Sequence, residues 1–445
     1  MKLACIDTFS GIGGISLALK DFTETVLYCE WNPYCQQVIT ERMDEGLLDK
    51  APIHADIQTL HVSPRCQPDI VVGGFPCQDI STMGNRQGIS DGKRSSMFFH
   101  IIRIVDECPS IHTVFLENVG NILKCGMKEV VDELQQRGFN MQWTTKSAGS
   151  MGAPHLRNRW FCLACKPDTD LSALAIPTQE TTRVIWDAEP VYRAIPKTQQ
   201  HPNWIQRCQA LGNSVVPCVV REAFVELVKL HNASETLTQC LQPFKCNASE
   251  LGYPYPETGM IYCQDFYSLP KRPLSSLPKH PVEIKIQRGG NETIFENLPT
   301  PRRGISHASS LTDRSLHDLP TVLVYSSKDQ LQEQGVDVTE EKLHTVATAN
   351  VNYIEWMMGY PIDWTRVTVT TPATPTSTPT TLSDDDDNSV TQQQVTVVKP
   401  KCRLNGMHIL MRDNPGKDIP TVAALWRELS KEEKEQYTVR ARAAS

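Results

Sequence analysis

The fold is decided by residues 2–19, which read KLACIDTFSGIGGISLAL. A short, mostly apolar run at residues 2–6 is stopped by Asp7, and the apolar run Ile15–Leu19 follows a loop that contains three glycines. This order predicts a strand, a glycine loop and a helix. Such a loop lets a nucleotide-like ligand come close to the backbone at the N-terminus of the helix.

The same alternation of strand and helix continues along the first half of the chain. We predict further strands at Thr25–Cys29, Ile70–Val72, Thr113–Leu116 and Trp160–Ala164, with helices at Ser96–Glu107 and Lys128–Arg137. Alternating elements of this kind favour an α/β fold with a doubly wound, mostly parallel sheet. Ligands of such sheets bind at the carboxyl ends of the strands.

Acidic residues follow the next two strand candidates after the glycine loop. Glu30 follows Val26–Cys29, and Asp56 follows Ile53–Ala55. A carboxylate at a strand end can accept hydrogen bonds from ribose hydroxyls, and a second can accept from an adenine amino group. By themselves, two solvated loop acids would explain the pattern equally well.

Composition limits the class of protein. The chain has 445 residues, of which 40% are hydrophobic, so two or three folded units are expected. The formal charge of -7 excludes a uniformly basic coat and leaves phosphate contacts to local clusters of Lys and Arg. The 15 Cys lack paired spacing except for Cys162 and Cys165, so reduced thiols and no metal are expected. No apolar run approaches the roughly 20 residues that span a bilayer, which predicts a soluble, intracellular protein.

Five motifs occur in a fixed order between residues 3 and 231. They are Asp7–Gly14 (DTFSGIGG), Gly74–Gln78 (GFPCQ), Glu117–Val119 (ENV), Arg157–Arg159 (RNR) and Gly212–Pro217 (GNSVVP). Together they resemble the DNA cytosine carbon-5 methyltransferase family. The resemblance implies a Rossmann-like catalytic domain of the class I methyltransferases at residues 1–231.

The resemblance also implies a methyl donor, S-adenosylmethionine, which leaves as S-adenosylhomocysteine, and no metal. We expect the aromatic ring of Phe9 to pack against the adenine of the donor. The residues expected to hold the donor lie in several loops: Asp7, Phe9, Ser10, Gly11, Gly13, Gly14, Glu30, Asp56, Ile57, Pro76, Asn213 and Ser214.

The chemistry of the reaction requires a nucleophile and an acid. Carbon 5 of cytosine is a poor nucleophile, so a thiolate must first add to carbon 6, and Cys77 is the candidate. Glu117 follows an apolar run, and a carboxyl with a raised pKa could protonate ring nitrogen 3. The resemblance implies that one of Arg157 and Arg159 holds the base and the other braces the site. His155 stands where many relatives have Gln, and the sequence names no base for the carbon-5 proton.

The substrate is expected to be double-stranded DNA bound by a monomer. Carbon 6 is inaccessible inside a duplex, so the target nucleotide must be swung out of the helix. The polar segment Asp79–Ser96 is expected to close over the DNA. The residues expected to contact DNA are Gln78, just before this segment, and Ser81, Arg86 and Arg94 within it.

The position of target recognition is left open by the sequence. Only Cys162–Leu211 separates the two-arginine motif from the late Gly-Asn motif, so either this short segment or an accessory region at 232–366 reads the target. A Thr- and Pro-rich linker is predicted at 367–399. Residues 400–445 resemble a shortened HMG box with Met407 as the wedge residue, although a helical protein-interaction module fits as well. Segments within 232–366 look similar to parts of phage and bacterial enzymes of the family. Together with the HMG-like tail, they indicate a viral, restriction-modification-like enzyme.

Two other functions compete with DNA methylation. The first is tRNA cytosine-5 methylation by the related branch, whose Cys-Phe-Thr signature is absent between Cys162 and Leu211. The second is a catalytically inactive DNA-binding regulator, against which the presence of both Cys77 and Glu117 argues.

Overall fold

The structure is a computed structural model. It describes residues 2–63, 66–76, 97–176, 186, 189–240, 244–247, 254–269, 284–288, 291–295, 297–301, 308–309, 318–338, 343–368 and 436–437. The elements below belong to the compact unit formed by residues 1–370.

The first half of the chain alternates between strands and helices, as predicted. Its elements are β1 (Leu3–Thr8), α1 (Gly14–Leu19), β2 (Thr23–Cys29), α2 (Pro33–Asp44), β3 (Ile53–His54), β4 (Ile70–Gly73), α3 (Met97–Glu107), β5 (Thr113–Val119), α4 (Met127–Gln136), β6 (Asn140–Ser147) and β7 (Asn158–Cys165).

The second half adds shorter strands and further helices. Its elements are β8 (Ala194–Pro196), α5 (Trp204–Asn213), α6 (Pro217–Asn232), α7 (Ser234–Cys240), β9 (Phe244–Asn247), β10 (Gly259–Tyr262), β11 (Asp265–Ser268), β12 (Ile284–Arg288), β13 (Asn291–Phe295), α8 (Leu319–Tyr325), α9 (Lys328–Glu333), α10 (Leu343–Val346), β14 (Ala347–Ala349) and α11 (Val351–Met357).

The main sheet has the strand order β3-β2-β1-β4-β5-β7-β6-β10-β11-β9. Strands β1 to β5 pair in parallel, and β7 runs antiparallel to both β5 and β6. The predicted Rossmann-like, mostly parallel sheet is therefore confirmed. The order reverses beside β1, which is where ligands of doubly wound sheets bind.

The helices cover the sheet with apolar faces that the sequence spacing sets. In α3, Phe98, Ile101, Ile102 and Val105 are buried, at positions i, i+3, i+4 and i+7. They pack against central strands such as β4, in which every residue is buried. This packing fixes the carboxyl end of β4, from which the chain continues to Pro76.

Packing crosses the predicted boundary at residue 231. Strand β10 pairs with β6 and extends the main sheet, while β14 pairs antiparallel with β8. Residues on both sides of the boundary thus share one core, and the predicted division into domains stays a prediction. Among the described residues, no helix is both long enough and apolar enough to cross a membrane.

Candidate active site

The carboxyl ends of β1 to β5 lie along one edge of the sheet because these strands are parallel. We call this edge, with the loops that follow its strands, the catalytic edge. Strand β7 begins there too, since Arg159 is the register partner of Val119. The loops gathered at this edge are 9–14, 30–32, 56–57 and 74–76.

The glycine loop is held by its own turn and by β2. The backbone N–H of Ser10 donates to the Cys29 carbonyl at 3.1 Å, and that of Gly13 donates to the Ser10 carbonyl at 2.8 Å. Phe9 has φ 54°, while Gly11 and Gly13 have φ 56° and 77°. The left-handed backbone explains the glycines and makes Phe9 a strained residue at the tip.

Asp7, near the end of β1, links the strand before this loop to the helix after it. It is fully buried, and its Oδ2 accepts a hydrogen bond from the Ser16 hydroxyl at 2.6 Å. Burial raises the pKa of Asp7 to about 7. The side chain therefore faces α1 and the core.

Glu30 connects the second strand to the glycine loop. Its Oε2 accepts from the Gly11 N–H and its Oε1 from the Asn32 N–H, both at 2.7 Å. Burial raises the pKa of Glu30, while these backbone N–H groups oppose the increase. Each oxygen keeps a lone pair with which to accept from a ribose hydroxyl.

Trp31 is a candidate that the sequence reading missed. Its side chain is 66% exposed, although it follows Glu30 directly at the catalytic edge. An exposed indole beside Glu30, the carboxylate predicted to bind ribose, offers a flat face on which a purine can stack. Its signal in the sequence was an aromatic residue directly after a strand-end acid.

Asp56 and Ile57 follow β3, the outermost parallel strand. The Asp56 Oδ1 accepts from the Gln58 N–H at 2.9 Å, which makes a local turn. Ile57 is buried, and its carbonyl accepts from Arg103 at 2.7 Å. Arg103 lies on α3, so this helix sets the position of the loop.

The chain leaves β4 toward the predicted nucleophile. The Asn118 side chain donates to the Phe75 carbonyl at 3.0 Å, and Phe75 is buried beside Phe98. Pro76 is exposed at the catalytic edge. The residues predicted beyond it lie outside the described residues: Cys77, Gln78, Ser81, Arg86 and Arg94.

Glu117 lies beside this exit. Its Oε1 pairs with the Arg159 Nε at 2.9 Å, and its Oε2 lies 2.9 Å from the point that a Cβ on Gly74 would occupy. Burial raises the pKa of Glu117, and the charges of Arg159 and Arg157 oppose the increase. Because any larger residue at 74 would displace the carboxyl, the glycine and the acid form one site.

The two arginines have different partners. Arg157 is buried and donates to the carbonyls of Pro301, Gly212 and Ser214 at 3.0, 3.1 and 2.5 Å. Burial and the nearby Arg159 lower its pKa to about 9. Arg157 thus braces the backbone, whereas Arg159 faces Glu117.

Arg157 also positions the late Gly-Asn motif. Helix α5 ends at Asn213, which is exposed, while Ser214 is buried and its hydroxyl donates to the Leu211 carbonyl at 2.9 Å. The bonds from Arg157 to Gly212 and Ser214 therefore hold both sides of Asn213.

His155 is a core residue. It is fully buried, and its Nε2 donates to the Met357 carbonyl at 3.0 Å. Burial and Arg157 lower its pKa to about 3, so the ring is neutral. The backbone at His155 also forms a bridge with Leu298. His155, which stands where many members of the similar family have Gln, is therefore accommodated as a hydrogen-bonded core residue.

The two regions considered for target recognition meet in one small lobe. Besides the β8–β14 pairing, the Arg193 N–H donates to the Gln330 side chain at 3.1 Å, and the Asn350 side chain donates to the Tyr192 carbonyl at 2.8 Å. We call the residues 189–203 and 318–350 the composite lobe. The two alternatives that the sequence left open are thus parts of one structure.

The cysteine pair behaves as ordinary core. Cys162 and Cys165 are free, buried thiols in β7, and burial raises the pKa of both. Within the described parts of the chain, no group of three or more His, Cys, Asp or Glu side chains is placed to hold a metal ion.

Residues 3–213 match the family described as C-5 cytosine-specific DNA methylase. The type II methyltransferase M.CviJI of Paramecium bursaria Chlorella virus IL3A is 28% identical over 348 residues, which is 73% of this chain and 91% of that protein. M.BsuFI of Bacillus subtilis is 29% identical and aligns with 40% of this chain, and M.HhaI of Haemophilus parahaemolyticus is 29% identical and aligns with 39%. These matches span 42% and 53% of the two bacterial proteins.

Proposed function

We propose that this chain methylates carbon 5 of cytosine in DNA with S-adenosylmethionine, which its match over residues 3–213 to the C-5 cytosine-specific DNA methylases supports, and that Cys77 and Glu117 carry out the chemistry. The observation that supports this most directly is the buried Glu117 against Gly74. This contact supports the proposal because Gly74 precedes Cys77 by three residues in the sequence and the carboxyl beside Gly74 has a raised pKa.

Each group has a defined task in the proposed reaction. The Cys77 thiolate bonds to carbon 6 of a cytosine swung out of duplex DNA, while Glu117 gives or shares a proton at ring nitrogen 3. S-adenosylmethionine, when bound, supplies the methyl group that carbon 5 takes up. Loss of the carbon-5 proton then releases the thiolate, and Arg159 orients Glu117 throughout.

The described residues fit the donor. Glu30 offers a carboxylate to ribose, Trp31 offers an exposed ring to adenine, and Asn213 is exposed at the end of α5. The left-handed backbone at Gly11 and Gly13 would allow the loop to approach the donor closely. The roles of Asp56, Ile57 and Pro76 toward the donor rest on the family resemblance and on their place at the catalytic edge.

Covalent trapping tests this proposal. Duplex DNA that contains 5-fluorocytosine cannot lose a proton from carbon 5, so the native protein with S-adenosylmethionine should form a stable covalent complex. The Cys77→Ala variant should form none. Failure of the native protein to be trapped, or equal trapping of the variant, would reject the mechanism. Trapping on tRNA in place of DNA would reject DNA as the substrate.

We further propose that the composite lobe reads the target sequence and that the monomer binds double-stranded DNA. The lobe is linked to the arginine motif, because Arg157 and His155 bond to segments that flank it. Bisulfite sequencing of DNA from cells that express the protein would report the target. A target context unchanged by substitutions on the exposed face of the lobe, such as Tyr192→Ala, would contradict this assignment.

The HMG-like reading of residues 400–445, with Met407 as its wedge, remains part of the proposal. Met407 lies outside the described residues. Binding of the chain to DNA that is already bent, compared with the same sequence in straight form, would test it. Equal affinity for both forms, unaffected by Met407→Ala, would favour the protein-interaction alternative.

A further inference from the structure

A segment far along the chain supports the glycine loop from behind. Residues 359–365, which we call the brace segment, follow α11 directly. Within it, Trp364 is only 1% exposed, and its indole N–H donates to the Ile12 carbonyl at 2.9 Å. Ile12 lies between Gly11 and Gly13, the two residues whose left-handed backbone shapes the loop.

The brace segment also occupies the space that Gly14 leaves. A Cβ at Gly14 would lie 2.2 Å from the Tyr360 hydroxyl oxygen and 2.8 Å from Val215 Cγ2. The ring of Tyr360 packs against that of Trp364, with centroids 5.6 Å apart. The brace segment therefore contacts the loop at Ile12 and Gly14, while β2 and Glu30 bond to it at Ser10 and Gly11.

The brace segment is itself held rigidly. Arg42 on α2 donates to the Asp363 carbonyl at 2.9 Å and also to the Trp364 carbonyl. Tyr34 donates to the Thr365 carbonyl at 2.6 Å, and Glu355 accepts from the Asp363 N–H at 2.6 Å. Because the segment is held by several hydrogen bonds, it can keep the Ile12 carbonyl that Trp364 contacts in a fixed position.

We propose that Trp364 is a positioning residue for the methyl donor, which acts by fixing the Ile12 carbonyl and with it the backbone of the glycine loop. The inference rests on the proposed function, since it takes residues 9–14 as the donor site. Because Trp364 is only 1% exposed, it would act through the loop and not through contact with the donor. Its loss should weaken donor binding and leave the chemical step intact.

The test compares two tryptophans in the same kind of bond. Trp204 is also buried, and its indole N–H donates to the Ala349 carbonyl at 2.7 Å, away from the glycine loop. Binding of S-adenosylhomocysteine to the full chain is measured by calorimetry for the native protein, Trp364→Phe and Trp204→Phe. Loss of one neutral hydrogen bond predicts a Kd that is roughly 3- to 10-fold weaker for Trp364→Phe. Trp204→Phe should bind like the native protein.

The kinetic constants should show the same distinction between donor binding, which weakens, and the chemical step, which does not change. With Trp364→Phe we expect a higher KM for S-adenosylmethionine and an unchanged kcat at saturating donor. Equal Kd values for Trp364→Phe and the native protein would overturn the inference alone. A native protein that binds no S-adenosylhomocysteine would overturn the proposed function and this inference together.

A second pair of variants keeps the inference testable if Trp364→Phe does not fold. Gly14→Ala should weaken S-adenosylhomocysteine binding because the new methyl group meets the Tyr360 hydroxyl. Adding Tyr360→Phe removes that oxygen and should restore part of the affinity. A double variant that binds no better than Gly14→Ala would show that the brace segment does not set the loop.

Discussion

Glu117 and Glu355 are both buried glutamates paired with an arginine, but their remaining partners differ. Glu355 is fully enclosed, and both of its oxygens accept hydrogen bonds, from Arg207 and the backbone of Thr365 on one side and from the Asp363 N–H on the other. Glu117 has one oxygen paired with Arg159. Among the described residues, its Oε2 has no hydrogen-bond donor and faces Gly74 instead.

This difference in hydrogen-bond partners corresponds to a difference in role between the two glutamates. A buried carboxylate whose two oxygens both accept from fixed donors holds the backbone around it in place. A buried carboxyl with a raised pKa, one of whose oxygens accepts from no donor in the described part of the chain, can exchange a proton with a substrate. Glu355 thus holds the brace segment through both of its oxygens, whereas Glu117 Oε2, as far as the described residues show, can still bond to a substrate.

The largest expected effect is at Glu117. Glu117→Gln keeps the shape but removes the acid, so we expect kcat to fall by roughly 10²- to 10⁴-fold. The free energy of unfolding should change little. Methyl transfer to DNA and urea unfolding measure the two quantities. A variant with near-native kcat would remove Glu117 from the chemistry.

The counterpart on the other side of the comparison is Arg207→Ala. It leaves the Glu355 carboxylate buried without its ion-pair partner, which typically costs about 3–5 kcal/mol of stability. Urea unfolding would detect the loss. The partly exposed pair of Lys128 and Asp132 supplies a control, since Lys128→Met should cost less than about 1 kcal/mol. Equal costs for the two variants would contradict the distinction between a satisfied core pair and a surface pair.

A smaller effect is expected at His155. This residue lies two positions before Arg157 and bonds to Met357 at the end of α11, next to the brace segment. Its pKa is about 3 in the folded protein, against 6.5 as the ordinary value, so only the unfolded chain takes up a proton in between. Stability is therefore lost as the pH falls from about 6.5 toward 3, by at most about 1.4 kcal/mol per pH unit.

His155→Gln should remove this loss, because an amide can still donate to the Met357 carbonyl without titrating. Urea unfolding near pH 7 and near pH 5 would compare the variant with the native protein. The native protein should lose more stability between these two values. Parallel pH dependence of the two proteins would show that His155 accepts a proton in the folded state.

The smallest effect is expected at Trp31. Its side chain is 66% exposed, so Trp31→Ala should leave the free energy of unfolding nearly unchanged. If adenine stacks on the ring, the loss of about 0.5–1.5 kcal/mol should weaken S-adenosylhomocysteine binding roughly 2- to 13-fold. Calorimetry measures it. An unchanged Kd would place the adenine elsewhere.

The catalytic edge was largely predictable from sequence because its signals are local. Glycines, strand-end acids and the motif around Glu117 each lie within a few residues of a predicted strand, and parallel pairing brings strand ends together. The order of the motifs also indicated the resemblance to the cytosine methyltransferases. The sequence did not indicate Trp31, since an aromatic residue after a strand resembles ordinary core until its exposure is known.

The packing of the second half was not predictable in the same way. The pairing of β8 with β14 joins segments about 150 residues apart, and the bond from Trp364 to Ile12 joins residues separated by 352 positions. Local periodicity carries no information about such partners. For the same reason, the sequence left two separate regions as alternatives for target recognition.

The sequence by itself determined the alternating strands and helices, the resemblance to the cytosine methyltransferases and the residue types that the proposed covalent catalysis needs, because each depends on short patterns. Only the tertiary structure decided that Arg157 braces the backbone while Arg159 faces Glu117, that His155 is neutral core, and that the glycine loop is supported by Trp364. These assignments depend on which groups burial brings together. Burial is a property of the whole fold, so it sets the pKa and the hydrogen-bond partners of each residue only once the chain has packed.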